Sequence, residues 1–501
     1  MSALVHLDGR AISATLRLAT DVVVVGSGPA GASAARRLAA SGLRVTILED
    51  GHAVEPSQFE ASAVRAMAAL YRDMGTSIAF GRAPLPYLQG RAVGGTSVVN
   101  GAISWSFPKE THARWIAQDA ALADALPFEE IAAADAALSL RLGVAPTEPR
   151  VAGRKNLLMA AGADALGLAH RPIARNVTGC VGSGRCLQGC PHGAKLSVDR
   201  TLLPDAVRDG ARIVSGVRVT RVLTDARGAY GVRGVTAAGA DVEVRARHAV
   251  ILAASAIQTP ILLRESGLTH GPVGDRLCAH PGVSVTGRFD APVRSLVGAT
   301  QGHEVTGLRE EGLKLEVLGF DLGLLASRLP GAGAALAAHV AALDHYAVWG
   351  AAIRAEALGR VRPGPLGPRV QYTLTPADVR KARRGVRVLG EVLLAAGATE
   401  VYPGVPGFDA VVRDPRRMAA FEEEGPLDAR AYTMSMTHLF GTARLGADPA
   451  HSVVRPDFRH HRVPGLYVAD SSVFPTNLGV NPQMSIMALA QLCADRVLTA
   501  A

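Results

Sequence analysis

The chain reads as an α/β protein of two domains, and three observations carry that reading. Residues 21–49 run as a β-branched strand, a glycine turn, an Ala-rich helix and a second strand, the alternation of a parallel α/β unit. Residues 351–397 follow a different pattern. Two strand-like runs, "AAIRAEALGRVRP" and "PRVQYTL", precede the long amphipathic helix "TPADVRKARRGVRVLGEVLLAAG", with Thr375 or Asp378 near its start. The third observation is length: 501 residues exceed what one simple core supports.

At the front, "DVVVV" (Asp21–Val25) is a buried strand, "GSGPAGASAARRLAASG" a turn and a helix ending at Gly42, and "RVTILE" a strand closing on Glu49. Gly26, Gly28 and Gly31 have the GxGxxG spacing. Gly26 permits the tight turn, Gly28 lets the backbone approach a pyrophosphate, and Gly31 lets helix and strand pack closely. The helix N-terminus faces the phosphates, and Glu49 stands where it can bond an adenosine ribose. FAD and NAD share this device. A second segment separates them: "GRAVGGTSVVNG" (Gly90–Gly101) sets Gly94, Gly95, Thr96, Ser97 and Asn100 together. Close glycine pairs with hydroxyls suit a backbone laid along further phosphate and ribityl chain. A cofactor gripped by two separated segments is buried along its length, which favours a held flavin.

The end of the chain returns to the same place. "TMSMTHLFGTARLG" carries His438 in an apolar stretch, and a strand ending at Asp470 leads through a loop to a helix opening near Pro482 and Gln483. Asn481 lies just before that helix, where backbone N–H groups are free and the dipole is positive. An N-cap is the plainer role for Asn481.

Composition excludes several alternatives. A formal charge of +9 suggests nucleic acid, but the arginines are scattered and aromatics make up only 4% of residues. Five cysteines are too few for a disulfide framework. The first twenty residues lack an apolar core and carry Asp8, Arg10 and Arg17, so a cytoplasmic protein without a secretory signal is expected. The Ala-rich stretch 322–353 is broken by Arg328, Pro330, His339 and Asp344 and reads as helical core, with a lid or membrane-facing surface as the alternative.

Taken in order, these motifs, with "AASAIQTPILLRESG" (Ala253–Gly267) and "VADSSVFPTNLGVNPQMSIMALA", resemble the glucose–methanol–choline (GMC) oxidoreductases over nearly the whole length. The resemblance implies a discontinuous Rossmann-like FAD-binding domain (15–110, 190–290 and 430–501), a connecting region (111–189) and an α+β substrate domain (291–429) whose antiparallel sheet roofs the flavin. It implies FAD-dependent oxidation of an alcohol by hydride transfer to flavin N5, with His438 and Asn481 as the catalytic pair. His438 is base or charged stabiliser, and Asn481 a non-titrating donor to the same oxygen. FAD is non-covalent, because Val99 stands where some members attach it through histidine. Ser255 and Thr259 enclose the cofactor, and Val219 meets the adenine. The electrons pass to a non-NAD acceptor, a quinone or redox protein; an oxidase using O2, or a flavin lyase or photoenzyme, is the alternative. Small-molecule alcohols are the expected substrates, and membrane contact stays open.

Cys180, Cys186 and Cys190 fall within "GCVGSGRCLQGCPHGAK" as C-x5-C-x3-C followed by Pro191 and His192. A reducing compartment disfavours a disulfide, and zinc would need a strained fourth ligand in His192. A plain loop and an iron–sulfur cluster remain. Close thiolates followed by proline suit a cluster, and the spacing resembles bacterial FAD-dependent dehydrogenases carrying a three-iron cluster, while related sequences carrying Cys-rich segments here without proven metal keep the plain loop equally open.

Overall fold

The computed structural model describes residues 6–319 and 322–500. Its first sheet has eight strands. Leu16–Val25 lies at the centre, parallel to Val45–Glu49 on one side and Asp241–Leu252 on the other. Arg212–Ser215 and His6–Asp8 extend the parallel array outward. The opposite edge is an antiparallel hairpin of Val217–Asp225 and Gly228–Thr236. Leu466–Val468, from far along the chain, pairs in parallel with Val250–Leu252.

The valine run is buried because this sheet is covered on both faces, so no residue of Val22–Val25 is more than 5% exposed. The helix Pro29–Ala39 lies over the sheet beside the C-terminal helix Gln483–Leu498, where the Ser33 hydroxyl donates to the Met487 carbonyl at 2.8 Å. Two glycines set this geometry. Gly26 has φ +102°, and a Cβ there would stand 2.3 Å from the Ala253 carbonyl oxygen. A Cβ on Gly31 would stand 1.9 Å from the Gly26 carbonyl oxygen, so helix and turn could not close as they do.

The second sheet has eleven strands and is antiparallel apart from the pairing of Ile78–Phe80 with Arg369–Gln371. Its longest strand, Asp275–Arg288, pairs with Tyr346–Ile353, Gly359–Arg362, Glu400–Tyr402 and Ser435–Phe440. The amphipathic helix is Pro376–Ala395, opened by a capping box in which Thr375 and Asp378 serve each other's backbone N–H. Its apolar face, including Val379, Val386, Leu389 and Leu393, belongs to the same core as Trp349 and Leu315 of the sheet. Each such side chain contributes about 1.5–3 kcal/mol by leaving water.

One irregularity in this sheet positions the site. Ala279 faces Leu439, but Pro281 faces Met436, so a single residue, His280, stands opposite two, Thr437 and His438. This is a β-bulge, and Pro281, with no N–H to give, lies beside it. The bulge brings the His280 and His438 side chains together.

The Ala-rich stretch 322–353 departs from the expected helical core. Its helix Gly333–Ala341 has no buried residue, and the buried positions are Leu325, Leu329 and most of the strand Tyr346–Ile353. Alanine favours helix but removes little surface, so this helix gains little from packing.

Replacing Gly31 by alanine forces a methyl group against the Gly26 carbonyl. It is expected to cost about 1–3 kcal/mol of stability and to loosen the turn. A lower thermal midpoint together with less flavin retained on gel filtration is the expected result; an unchanged midpoint contradicts the packing role.

Candidate active site

Between the two sheets lies a cavity of about 990 Å³. Its wall includes Glu49, Asp50 and Val219, the segments that carry Gly26, Gly28, Gly95, Thr96 and Asn100, and the pair His438 and Asn481. The glycine segments form a cradle of backbone. A Cβ on Gly95 would stand 2.7 Å from the Gly28 Cα, so the two glycine segments touch main chain to main chain. Gly94 and Gly31 lie outside the wall. Gly94, at φ +97°, turns the chain and donates its N–H to the Ser27 hydroxyl at 3.0 Å.

Glu49 ends its strand in a fixed pose. Oε2 accepts from the Ser27 N–H at 2.9 Å and from its hydroxyl at 2.7 Å, and Oε1 accepts from the Gly51 N–H at 2.8 Å. Burial raises its pKa and these donors oppose the rise. Asp470 organises the opposite side. Its Oδ2 accepts from the Ser255 N–H and the Thr259 hydroxyl, and its Oδ1 from the Ser472 N–H. Ser255, at φ +97°, takes a bond from the Gln89 amide at 2.8 Å. The Asn100 amide donates to Gln483 Oε1, joining the glycine segment to the start of the C-terminal helix.

Asn481 is not a cap. The N-cap position belongs to Pro482, and Asn481 Oδ1 is buried without a partner. Its Nδ2 lies 3.5 Å from His438 Nε2. Sequence reasoning missed the third member of this group, His280, whose Nδ1 lies 3.1 Å from His438 Nδ1 and whose Nε2 accepts from the Gly479 N–H at 2.8 Å. The signal was present in "AHPG", a His–Pro–Gly break inside an apolar strand, which marks a bulge. Loss of water around the His438 ring lowers its pKa to about 3, and Lys314 adds to the effect. His280 is pushed well down by burial and then by His438, Lys314 and Arg354.

The wall also includes the apolar Val283, Gly350, Ala351 and Leu318 and the polar Ser284, Gln301, Glu316 and Arg328. Glu316 accepts from the Gln301 amide at 2.9 Å and from Lys314 Nζ at 2.7 Å. Lys314 also bonds the fully buried Glu304 at 2.8 Å, so the charges in this corner are internally matched.

The cavity fits a long, polar, flat group such as FAD. Asn481 Oδ1, Gln483 Nε2, Gln89 Oε1 and Gln258 Nε2 are buried without partners, and all four residues line it. The glycine cradle leaves main chain exposed where phosphates lie in such sites.

The cysteine-rich loop corrects one expectation. Among the described residues, no group of three or more His, Cys, Asp or Glu side chains is arranged to hold a metal ion, so the iron–sulfur reading of Cys180, Cys186 and Cys190 has no support. All three thiols are free. Cys186 is buried and accepts from Arg175 Nη2 at 3.3 Å. Burial alone would raise its pKa, but the charges of Arg175 and Lys195 and contact with Thr300 bring it down. Arg175 and Lys195 are themselves buried beside it. The loop instead braces the cradle: Lys195 Nζ donates to the carbonyls of Val98, Asn100 and Cys186 at 2.6, 3.0 and 2.8 Å.

Comparison with known proteins agrees with this geometry. The family models for GMC oxidoreductases match residues 67–282 and 357–490, and one for pyridine nucleotide-disulphide oxidoreductases matches residues 20–104. An uncharacterised GMC-type oxidoreductase of Mycobacterium tuberculosis is 37% identical, covering 95% of this chain and 75% of its own. One from Sinorhizobium fredii is 33% identical over 98% of this chain and 97% of its own. A long-chain-alcohol oxidase of Arabidopsis thaliana is 30% identical over 96% and 67%. Among solved structures, pyridoxine 4-oxidase from Mesorbium loti superposes with a TM-score of 0.71 at 18% identity, covering 95% of this chain and 98% of that one. The chain belongs to the GMC oxidoreductase family, with a Rossmann-like FAD-binding domain and a sheet-built substrate domain. Among the described residues no helix is long and apolar enough to cross a membrane.

The histidines make stability pH-dependent. A histidine whose folded pKa is lowered stays neutral in the fold while the unfolded chain takes up a proton below about 6.5, so stability is lost as pH falls from there toward the folded value. His280 and His438 each contribute up to about 1.4 kcal/mol per pH unit in that window. His303 and His460, lowered to about 4 mainly by burial, act in the same direction. The thermal midpoint is expected to fall between pH 7 and pH 5, and to fall less in the His438→Leu variant, which lacks one of these rings; a midpoint whose pH dependence is the same in that variant contradicts the neutral pair.

Proposed function

We propose that the protein catalyses the FAD-dependent oxidation of an alcohol, a CH–OH donor, to an aldehyde or ketone, passing the electrons to an acceptor other than NAD. One observation carries this reading. His438 Nε2 and Asn481 Nδ2, 3.5 Å apart, stand on the wall of the cavity that both glycine segments line. Two nitrogens at that spacing can both reach one oxygen atom at hydrogen-bond distance.

In this reading Gly26, Gly28 and Glu49 hold the pyrophosphate and adenosine portion, with Val219 beside the adenine. Gly95, Thr96 and Asn100 hold the middle, and Ser255, Asp470, Pro482 and Gln483 enclose the ring end. Bound FAD supplies a ring that accepts hydride. The chain supplies the rest. His438, kept neutral by burial, takes the hydroxyl proton on its free ring nitrogen as the hydride leaves, and Asn481 Nδ2 donates to the same oxygen, where one preorganised donor can be worth about 3 kcal/mol. The wall of Val283, Gly350, Ala351 and Leu318 receives the body of the substrate and excludes water, which favours a predominantly apolar alcohol. The 30% identity to a long-chain-alcohol oxidase supports the same class.

Anaerobic mixing with a panel of aliphatic, aromatic and sterol alcohols is expected to bleach the flavin of the wild-type protein. Readmitting O2 or adding a quinone then distinguishes the acceptor. The His438→Ala variant is expected to keep its flavin but to lose about 100-fold or more in reduction rate. Reduction of that variant at the wild-type rate contradicts the assignment, and a flavin that no alcohol bleaches contradicts the function.

A further inference from the structure

We propose that the edge of the second sheet around residues 359–371 docks onto the surface of an anionic lipid bilayer. The docking itself does not require the reaction. Its use, admitting an apolar alcohol from the lipid, rests on the function proposed above.

The argument begins at strand alternation. Gly359–Arg362, Arg369–Gln371 and Ile78–Phe80 lie side by side at this edge, with Val361 opposite Val370 and Val370 opposite Ala79. Those three side chains are fully buried. Their neighbours in sequence point to the other face, because successive side chains of a strand alternate. A face that met only water would be polar. This one carries Ile78 and Phe80, which are 39% and 62% exposed. Gln371 stands opposite Phe80, and Arg360 and Arg362 stand opposite Gln371 and Arg369.

The loop joining the two arginine-bearing strands is "PGPLGP", residues 363–368. Its three prolines fix much of the backbone, so holding the tip outward costs little further ordering on binding. At the tip Leu366 is as exposed as in a free chain, at 103%. Leu366 also lines the cavity whose wall includes His438, as do Gly364 and Gly367 beside it. A residue that both lines a cavity and is wholly exposed stands at its opening. Leu427 adds a fourth exposed apolar side chain, since its neighbour Asp428 pairs with Arg82, two residues after Phe80.

Single exposed apolar residues are ordinary, but a group of them at a cavity mouth marks an interaction surface. Charge selects the partner. Arg360 and Arg362 share Asp275 at 3.5 and 2.5 Å, and Arg82 and Arg430 share Asp428 at 3.4 and 2.5 Å. Arg369 has no ion-pair partner among the described residues. The one further carboxylate, Asp73, on the turn before Ile78, accepts from the Ser77 hydroxyl at 3.0 Å, so five arginines meet three carboxylates here. A second copy of this chain in a two-fold contact would set these arginines against themselves. Lipid phosphates answer them, and the boundary of the acyl chains takes the apolar tips.

Co-sedimentation of the flavin-loaded protein with vesicles tests the proposal. Binding is expected to vesicles of equal parts phosphatidylcholine and phosphatidylglycerol, and to weaken as salt is raised. Leu366→Asp and Phe80→Asp are each expected to weaken it about 10-fold or more. Arg369→Glu is expected to do the same through charge, about 10-fold. Arg227→Glu makes an equal charge change on the turn of the Val217–Thr236 hairpin of the first sheet, and is expected to stay within about 2-fold of wild type. No binding by the wild type overturns the proposal. So does an Arg227→Glu variant as weak as Arg369→Glu, which would make net charge the cause, or full binding by both aspartate variants. All these positions are exposed, and Phe80 lines no part of the cavity, so Phe80→Asp decides the apolar arm if Leu366→Asp loses its flavin. Sedimentation reads docking without turnover, so a flavin that no alcohol bleaches and a protein that leaves vesicles alone are separate failures.

Discussion

The approach of the Gly95 backbone to that of Gly28 is the contact on which the cavity depends, because a methyl group at Gly95 would stand 2.7 Å from the Gly28 Cα. Residues nearly seventy positions apart thus form one trough without side chains between them. A trough of bare main chain presents N–H groups along its length, and polar ligands with phosphates are held by such groups. The contact needs support from behind. Lys195 gives it by donating to the carbonyls of Val98 and Asn100, and the Asn100–Gln483 bond ties the same segment to the C-terminal helix. The cysteine-rich loop belongs to this support, since Lys195 also bonds the Cys186 carbonyl and Tyr71 donates to that of Leu187.

Charge is distributed so that the reacting end stays neutral. Lys314 is shared between Glu304 and Glu316, and Arg171 also pairs with Glu304, so these carboxylates are occupied with one another's cations, and His280 and His438 hydrogen-bond to each other and not to a carboxylate. Desolvation then governs both rings. A histidine pair beside a free carboxylate would have become charged; this pair stays neutral. Neutral hydrogen bonds in a dry site cost little to reorganise, which suits a seat that must be ready before charge develops.

Much of the nucleotide half was legible from residue order. Valine runs, glycines at fixed spacing and a terminal acid have local causes: strand burial, positive φ and a helix N-terminus. The capping box at Thr375 was legible for the same reason. The Ala-rich stretch was misread because composition reports helix propensity but says nothing about how much of a face finds a partner, and in Gly333–Ala341 only Leu336 and His339 reach the neighbouring tyrosines and leucines. The three cysteines suggested ligands by spacing, yet Cys186 lies buried between the cations Arg175 and Lys195, which lower its pKa.

The sequence alone determined the strand–turn–helix unit and the two glycine segments, because each rests on neighbours close in the chain. Only the tertiary structure decided what surrounds His438. His280, Gly479 and His438 come from different parts of the chain, and they meet because a bulge shifts the register of one strand pair. The position of a proton on an imidazole is set by what the other nitrogen touches, and no local pattern of residues records that contact.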